Sequence, residues 1–275
     1  MGLTILEPKA GLEPIDRLLV DVQAACVRAG AAILAFAAGD CTVWTKDDAS
    51  PLTQADLAAN AILLAALAEL DPATPVISEE SPRPAGPAPA RFWLVDPLDG
   101  TREFLSGNGE YTVNVALVDE GTPVLGVVHA PALERTYAAA RGRGATRTDA
   151  HGTRPIHVRR EGALVVVASR SHRGAELEPF LAALPPHETV TAGSSLKLGL
   201  VADGTAQLYP RFGTTCWWDI AAGHAVAVEA GAQVVTFAGA PLRYAGSDVR
   251  NPSFACTALP VELVTTAAAR ALLHP

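Results

Sequence analysis

The sequence predicts a layered α/β protein in two parts: an α+β first half (1–161) and an α/β second half (162–275). Two helical stretches followed by consecutive strands point to the first part, and strands alternating with helices beyond residue 162 point to the second. Of the 275 residues, 49% are apolar and only 18% charged, so the chain can close a large core and is too apolar to stay disordered. At about 150 residues per domain, the length allows two units or one large one.

Residues 11–39 carry Leu18, Leu19, Val22, Ala25, Cys26, Ala29, Ile33 and Leu34 at helical spacing, and Gly39-Asp40 ends the pattern. Thr53 is placed to N-cap a second helix over 53–70, which Asp71-Pro72 stops. A strand over 75–78 runs into Glu79-Glu80, and the proline-rich stretch 81–89 reads as a loop. β-type runs follow at 91–95, 111–118, 124–130 and 136–139, with Gly121 and Pro123 marking a hairpin between the second and third. The second half reads as a strand over 164–168, a helix over 175–184 and a strand near 189–191. A helix over 195–202, a strand over 205–209 and a long helix over 217–230 complete it. No internal repeat is present, which excludes a solenoid.

Composition removes several function classes. The net charge is −8 and the chain lacks basic runs, a poor match to a nucleic-acid duplex. The longest unbroken apolar run, 29–39, falls far short of the ~20 residues a membrane span needs. Glu7, Lys9 and Glu13 interrupt the first apolar stretch, so it lacks a secretory h-region. Cys26, Cys41, Cys216 and Cys256 show neither zinc spacing nor a disulfide framework. The expectation is a cytoplasmic protein without membrane insertion, in which an anionic ligand would need a local reversal of charge.

The acidic residues are the informative ones. Asp96-Pro97-Leu98-Asp99-Gly100-Thr101 follows an apolar strand. It reads either as a strand-ending turn or as two carboxylates facing one cleft, with Gly-Thr amides exposed for a phosphate. An acidic pair beside a phosphate cradle makes sense only with a cation between them. Glu79-Glu80 is either a solvated loop end or a second acidic contribution. Asp219, after Trp217-Trp218, and Asp56, in Thr53-Gln54-Ala55-Asp56, are each also explained as first-turn helix acids favoured by the dipole.

Taken together, an Asp at a helix start, Glu-Glu, Asp-Pro-Leu-Asp-Gly-Thr and Trp-Asp resemble the signature of the magnesium-dependent, lithium-sensitive inositol monophosphatase superfamily. The likeness runs from about residue 11 to Phe254, with one departure, Gly231-Ala232 in place of a glycine pair. Within that superfamily, Asp99 to Phe104, Asn108 to Asn114, Ser169-Arg170-Ser171-His172, Gly193-Ser194-Ser195-Leu196-Lys197, Tyr209-Pro210-Arg211-Phe212-Gly213 and Trp218 to Ala225 are similar to the CysQ-type 3′(2′),5′-bisphosphate nucleotidases. The resemblance implies an αβαβα sandwich of the sugar-phosphatase type and removal of the 3′-phosphate of 3′-phosphoadenosine 5′-phosphate, a by-product of sulfate activation. The phosphosulfate analogue is a further implied substrate. Rivals are an inositol monophosphatase, a fructose-1,6-bisphosphatase and a non-catalytic nucleotide or metal sensor.

The resemblance also implies roles. Glu79, Asp96, Asp99, the Leu98 carbonyl and Asp219 would hold two or three Mg²⁺ ions, with Asp96 bridging. Thr101 and Asp56 would activate the attacking water, and the Gly100 and Thr101 amides would cradle the departing phosphate. His172, Ser194, Lys197 and Arg211 would bind the second phosphate of a small phosphorylated nucleotide. His224 is set aside, since an imidazole is out of place in an oxygen-only site. His129 stands where these nucleotidases commonly carry a tyrosine, and the sequence does not account for it. A homodimer is left open.

Overall fold

A computed structural model describes residues 13–37, 42–45, 51–82, 86–170 and 174–273. The chain starts with helix α1 (Pro14–Ala37), a short antiparallel pair β1 (Val43–Thr45) and β2 (Pro51–Thr53), and helix α2 (Gln54–Leu70). Thr53 caps α2: its hydroxyl accepts from the Ala55 and Asp56 amides, and the Asp56 carboxylate accepts from the Thr53 amide in return. Then come β3 (Val76–Ser78), β4 (Arg91–Asp99), the one-turn helix α3 (Thr101–Ser106), β5 (Thr112–Asp119), β6 (Thr122–Ala130), β7 (Arg135–Ala140), β8 (Ala145–Asp149) and β9 (Gly152–Ile156). Strands β3 to β9 form one seven-stranded sheet in sequence order, antiparallel except for β3 beside β4.

A second, five-stranded sheet is built from β10 (Leu164–Ser169), β11 (His187–Ala192), β12 (Leu208–Arg211), β13 (Gln233–Thr236) and β14 (Phe254–Thr257), in the order β11-β10-β12-β14-β13. Its helices are α4 (Leu177–Ala182), α5 (Leu196–Ala202), α6 (Trp217–Glu229) and α7 (Val261–Leu273).

Side-chain alternation along the strands sorts these elements into layers. On β4 and β5, Trp93, Val95, Val113, Val115 and Leu117 pack under α1 and α2, while Phe92, Leu94, Ala116 and Val118 join the core that holds α5 and α6. Tyr209, Phe254 and Cys256 of the smaller sheet enter that same middle core, and Leu208 and Ala255 turn away to meet α4 and α7. The result is helix, sheet, helix, sheet, helix, the expected αβαβα sandwich. Strand β6 and helix α6 touch backbone to backbone: a Cβ on Gly126 would lie 2.3 Å from the Ala222 carbonyl oxygen, so only glycine fits there.

Some elements differ from the sequence expectation. The helix over 175–184 contracts to α4, and the strand over 205–209 forms at β12. Strands β1, β2, β8, β9, β13 and β14, three to five residues each, show no alternation strong enough to announce them and exist because neighbours pair with them. Helix α1 has the length and mean hydropathy of a membrane span although its unbroken apolar runs are short; its Val22, Cys26, Ala29 and Ile33 are buried against α2 and the sheet. His129 also has an explanation now: it is buried against Gly30 of α1, its Nδ1 lies 2.9 Å from the Thr136 hydroxyl, and burial lowers its pKa to about 4. Ala232 is buried in the middle core.

Candidate active site

The carboxyl end of β4 organises the site. Asp96 faces Asn114 of β5, the next pair is Asp99 with Thr112, and the register shifts between them. In a regular pleat, residues three apart point to opposite faces; a bulge removes that constraint. The Asp96 carboxylate accepts from the Leu98 amide at 3.1 Å, closing the turn through Pro97. Asp96 thus reaches Glu79 and Asp219, while Asp99 reaches Ser195.

Glu79 is held just beyond β3 by its amide, which donates to the Val95 carbonyl at 3.1 Å. Asp219 sits in the first turn of α6, where it accepts from the Cys216 amide at 2.7 Å and the half-buried Cys216 side chain accepts from the Asp219 amide. One carboxylate oxygen each from Glu79, Asp96 and Asp219 lies within 4.8 Å of the others. Burial, then Glu79, Asp99 and Asp219, hold the Asp96 carboxyl well above its ordinary pKa. Burial, then Asp99 and Glu79, do the same to Asp219. Burial also raises Asp99, against the opposing pull of Lys197. Crowded, partly buried carboxylates that offer only oxygen ligands fit a hard divalent cation.

Beside the cluster, the Thr101 hydroxyl is 3.5 Å from Asp56 Oδ1 and 3.5 Å from the Leu98 carbonyl oxygen, a donor with two acceptors in reach. Gly100, at φ 90°, turns the chain into α3 in the left-handed region and leaves the first-turn amides without a side-chain cap.

A cleft of about 250 Å³ opens here, lined among others by Asp99, Gly100, Thr101, Ser194, Lys197 and Arg211. Its far wall is basic. Lys197 is 5% exposed; its ammonium donates to the Ala192 carbonyl at 3.4 Å and to the Ser194 carbonyl, and lies 5.5 Å from the Tyr209 ring centroid. Burial lowers its pKa to about 8, with Asp99 pulling the other way. Arg211 is 8% exposed, donates from Nη2 to the Thr214 carbonyl at 3.1 Å, and keeps a buried Nε with no hydrogen-bond partner among the described residues. Ser194 sits at φ 43°, its hydroxyl accepting from the Leu196 amide at 3.5 Å.

Of the expected site residues, Glu79, Asp96 and Asp219 meet in one cluster, Asp56 meets Thr101, and Asp99, Gly100, Ser194, Lys197 and Arg211 line the cleft. His172 lies outside the described residues. His224 is buried, with Nδ1 3.0 Å from the Tyr244 hydroxyl and its pKa lowered to about 3 by burial. Sequence reasoning passed over two sets of residues. Ser195 bonds Asp99 and Asn114. Glu110 takes two 2.7 Å bonds from Arg170 and one of 2.8 Å from the Gly193 amide, and the Arg170 bonds lower its pKa. Ser195, Asn114, Glu110 and Arg170 all stand inside the segments that carry the nucleotidase resemblance; only the fold reveals their partners.

Comparison with known proteins gives a consistent result. The inositol monophosphatase family matches residues 15–273. The chain is 50% identical over 216 residues to the 3′(2′),5′-bisphosphate nucleotidase CysQ of Escherichia coli strain K12, covering 77% of this chain and 87% of that one. It is 42% identical over 201 residues to the CysQ of Buchnera aphidicola, covering 72% and 76%. Among solved structures, CysQ from Bacteroides thetaiotaomicron, described as a bacterial member of the inositol monophosphatase family, superposes with a TM-score of 0.78 at 36% identity, over 87% of this chain and 96% of that one. Thermotoga maritima IMPase shares the fold, with a TM-score of 0.78 at 24% identity over 94% and 98%.

Proposed function

This chain belongs to the inositol monophosphatase family, and from that premise we propose that it is a Mg²⁺-dependent 3′(2′),5′-bisphosphate nucleotidase that converts 3′-phosphoadenosine 5′-phosphate to AMP and phosphate. The observation that carries this reading is the meeting of Glu79, Asp96 and Asp219, distant in sequence, within 4.8 Å of one another beside a cleft with a basic far wall. The relatives at 50% and 42% identity carry the nucleotidase name and support the substrate.

Glu79, Asp96, Asp99, the Leu98 carbonyl and Asp219 would hold two or three divalent ions, which would supply positive charge to the phosphoryl and leaving oxygens and lower the pKa of a bound water. Asp56 accepts from the Thr101 hydroxyl, so that the hydroxyl oxygen is free to accept from the attacking water and aim it in line with the departing ester oxygen. The amides of Gly100 and Thr101 receive the phosphate being cleaved. Residues 162–275 contribute Asp219 and the second phosphate's partners, Lys197, Arg211, Ser194 and His172; residues 1–161 contribute the rest. The orphan Nε of Arg211 supports this assignment, because a buried donor left unpaired costs about 1–3 kcal/mol and an anionic oxygen satisfies it. A cytoplasmic location, inhibition by lithium and a place in sulfur metabolism, clearing a by-product of sulfate activation, accompany this reading.

A substrate panel at one Mg²⁺ concentration tests it: 3′-phosphoadenosine 5′-phosphate, inositol 1-phosphate and fructose 1,6-bisphosphate, each with kcat/KM. The nucleotide is expected to dominate, and chelation of the metal to stop turnover. A preference for either other substrate refutes the nucleotide assignment; turnover that survives chelation refutes the metal assignment.

A further inference from the structure

We infer that Ser195 is a positioning residue for this reaction, one buried hydroxyl that aims the Asp99 carboxylate. The inference rests on the reading above that Asp99 and Asp219 hold divalent ions. Ser195 is 3% exposed, and its Oγ lies 2.8 Å from Asp99 Oδ2, 3.0 Å from Asn114 Nδ2 and in contact with the Asp219 carbonyl oxygen.

Counting protons decides how this junction works. A hydroxyl has one proton to give, and an amide nitrogen can only donate. Asn114 therefore fills a lone pair of Ser195 Oγ and leaves the hydroxyl proton for one of two acceptors, Asp99 or the Asp219 carbonyl. The charged carboxylate makes the stronger, charge-assisted partner.

The contact joins the larger sheet to the helices of the middle layer. Asp99 ends β4, Asn114 lies on β5 opposite Asp96, Ser195 leads into α5, and Asp219 opens α6. Ser195 itself is fixed by the left-handed turn at Ser194, whose carbonyl takes a hydrogen bond from Lys197. Removing the hydroxyl frees Asp99 to rotate about its side chain, without taking away a carboxylate or a cationic binding group. Loss of a partner that orients a metal-binding side chain typically costs 10–100-fold in metal affinity or activity.

The experiment measures Mn²⁺ binding to the substrate-free full-length protein by titration calorimetry, alongside steady-state kinetics, for Ser195→Ala, Asn114→Ala and Asp99→Asn. Ser195→Ala is expected to weaken at least one Mn²⁺ site by ~10–100-fold and to lower kcat while leaving KM for the nucleotide within about threefold. Asn114→Ala should shift Mn²⁺ affinity in the same direction by less. Mn²⁺ affinity unchanged in Ser195→Ala while Asp99→Asn loses it overturns the role of Ser195 and spares the site. Affinity unchanged in Asp99→Asn overturns the reading of the site itself, and the inference with it. Should Ser195→Ala fail to fold, Asn114→Ala decides: weakened Mn²⁺ binding supports the inference, and wild-type binding overturns it.

Discussion

The two sides of the site are built by opposite strategies. On one, Glu79, Asp96 and Asp219 place like charges within 4.8 Å of one another, and burial and mutual repulsion hold the Asp96 and Asp219 carboxyls above their ordinary pKa. On the other, Lys197 and Arg211 are buried singly and bonded to backbone carbonyls, as a cation must be when it is taken out of water. The acidic side needs a guest to be stable in its charged form; the basic side has its cations largely bonded already and leaves the Arg211 Nε for a ligand to satisfy. Chemistry belongs to the first side and recognition to the second.

The sharpest way to break that division is Asp96→Asn, which removes the most crowded carboxylate. It should lower kcat by more than ~100-fold, beyond the loss from an orienting partner, with little change in KM. A large KM change with kcat preserved would place Asp96 on the recognition side. Thr101→Ala comes next: loss of a group that aims the attacking water is worth ~10²-fold in kcat, again without a matching rise in KM. The reverse pattern would make Thr101 a binding residue.

On the basic side, Arg211→Met should raise KM for the bisphosphate by ~10–100-fold, the equivalent of losing hydrogen bonds to a charged group at about 1.5–3 kcal/mol. Turnover of a nucleoside 3′-monophosphate should be nearly untouched, because it has no second phosphate to lose. Equal damage to both substrates would move Arg211 to the chemical side. The smallest effect is on pH. The Lys197 ammonium, with its pKa lowered to about 8, is charged below that value and neutral above it. KM for the bisphosphate should therefore stay flat up to about pH 8 and climb beyond it. In Lys197→Met, a KM profile that keeps the same climb would assign it to another group.

The two sides also differ in how far they could be read from sequence. Asp-Pro-Leu-Asp-Gly-Thr, Glu-Glu and Trp-Asp are local patterns, and each lies at the end of a strong element: β3, β4 and the start of α6. The cap on α2 was equally legible, because Thr53 and Asp56 stand three residues apart. What holds Asp96 and Asp99 on one side, though, is a register shift between β4 and β5, a property of a strand pair and of neither strand alone. Ser195 was invisible for a related reason, since its partners are 81, 96 and 24 residues away. The small strands β13 and β14 were missed likewise, four residues each and paired with one another and, through β14, with β12.

The two oxygens of Asp56 serve different masters: Oδ2 bonds the Thr53 amide that begins α2, and Oδ1 faces the Thr101 hydroxyl. A survey that scores variants by cellular abundance would register substitutions at this position as damage to a helix and miss the lost activity beneath. Asn keeps one of the two acceptor oxygens, so Asp56→Asn is the replacement in which abundance and turnover can part company.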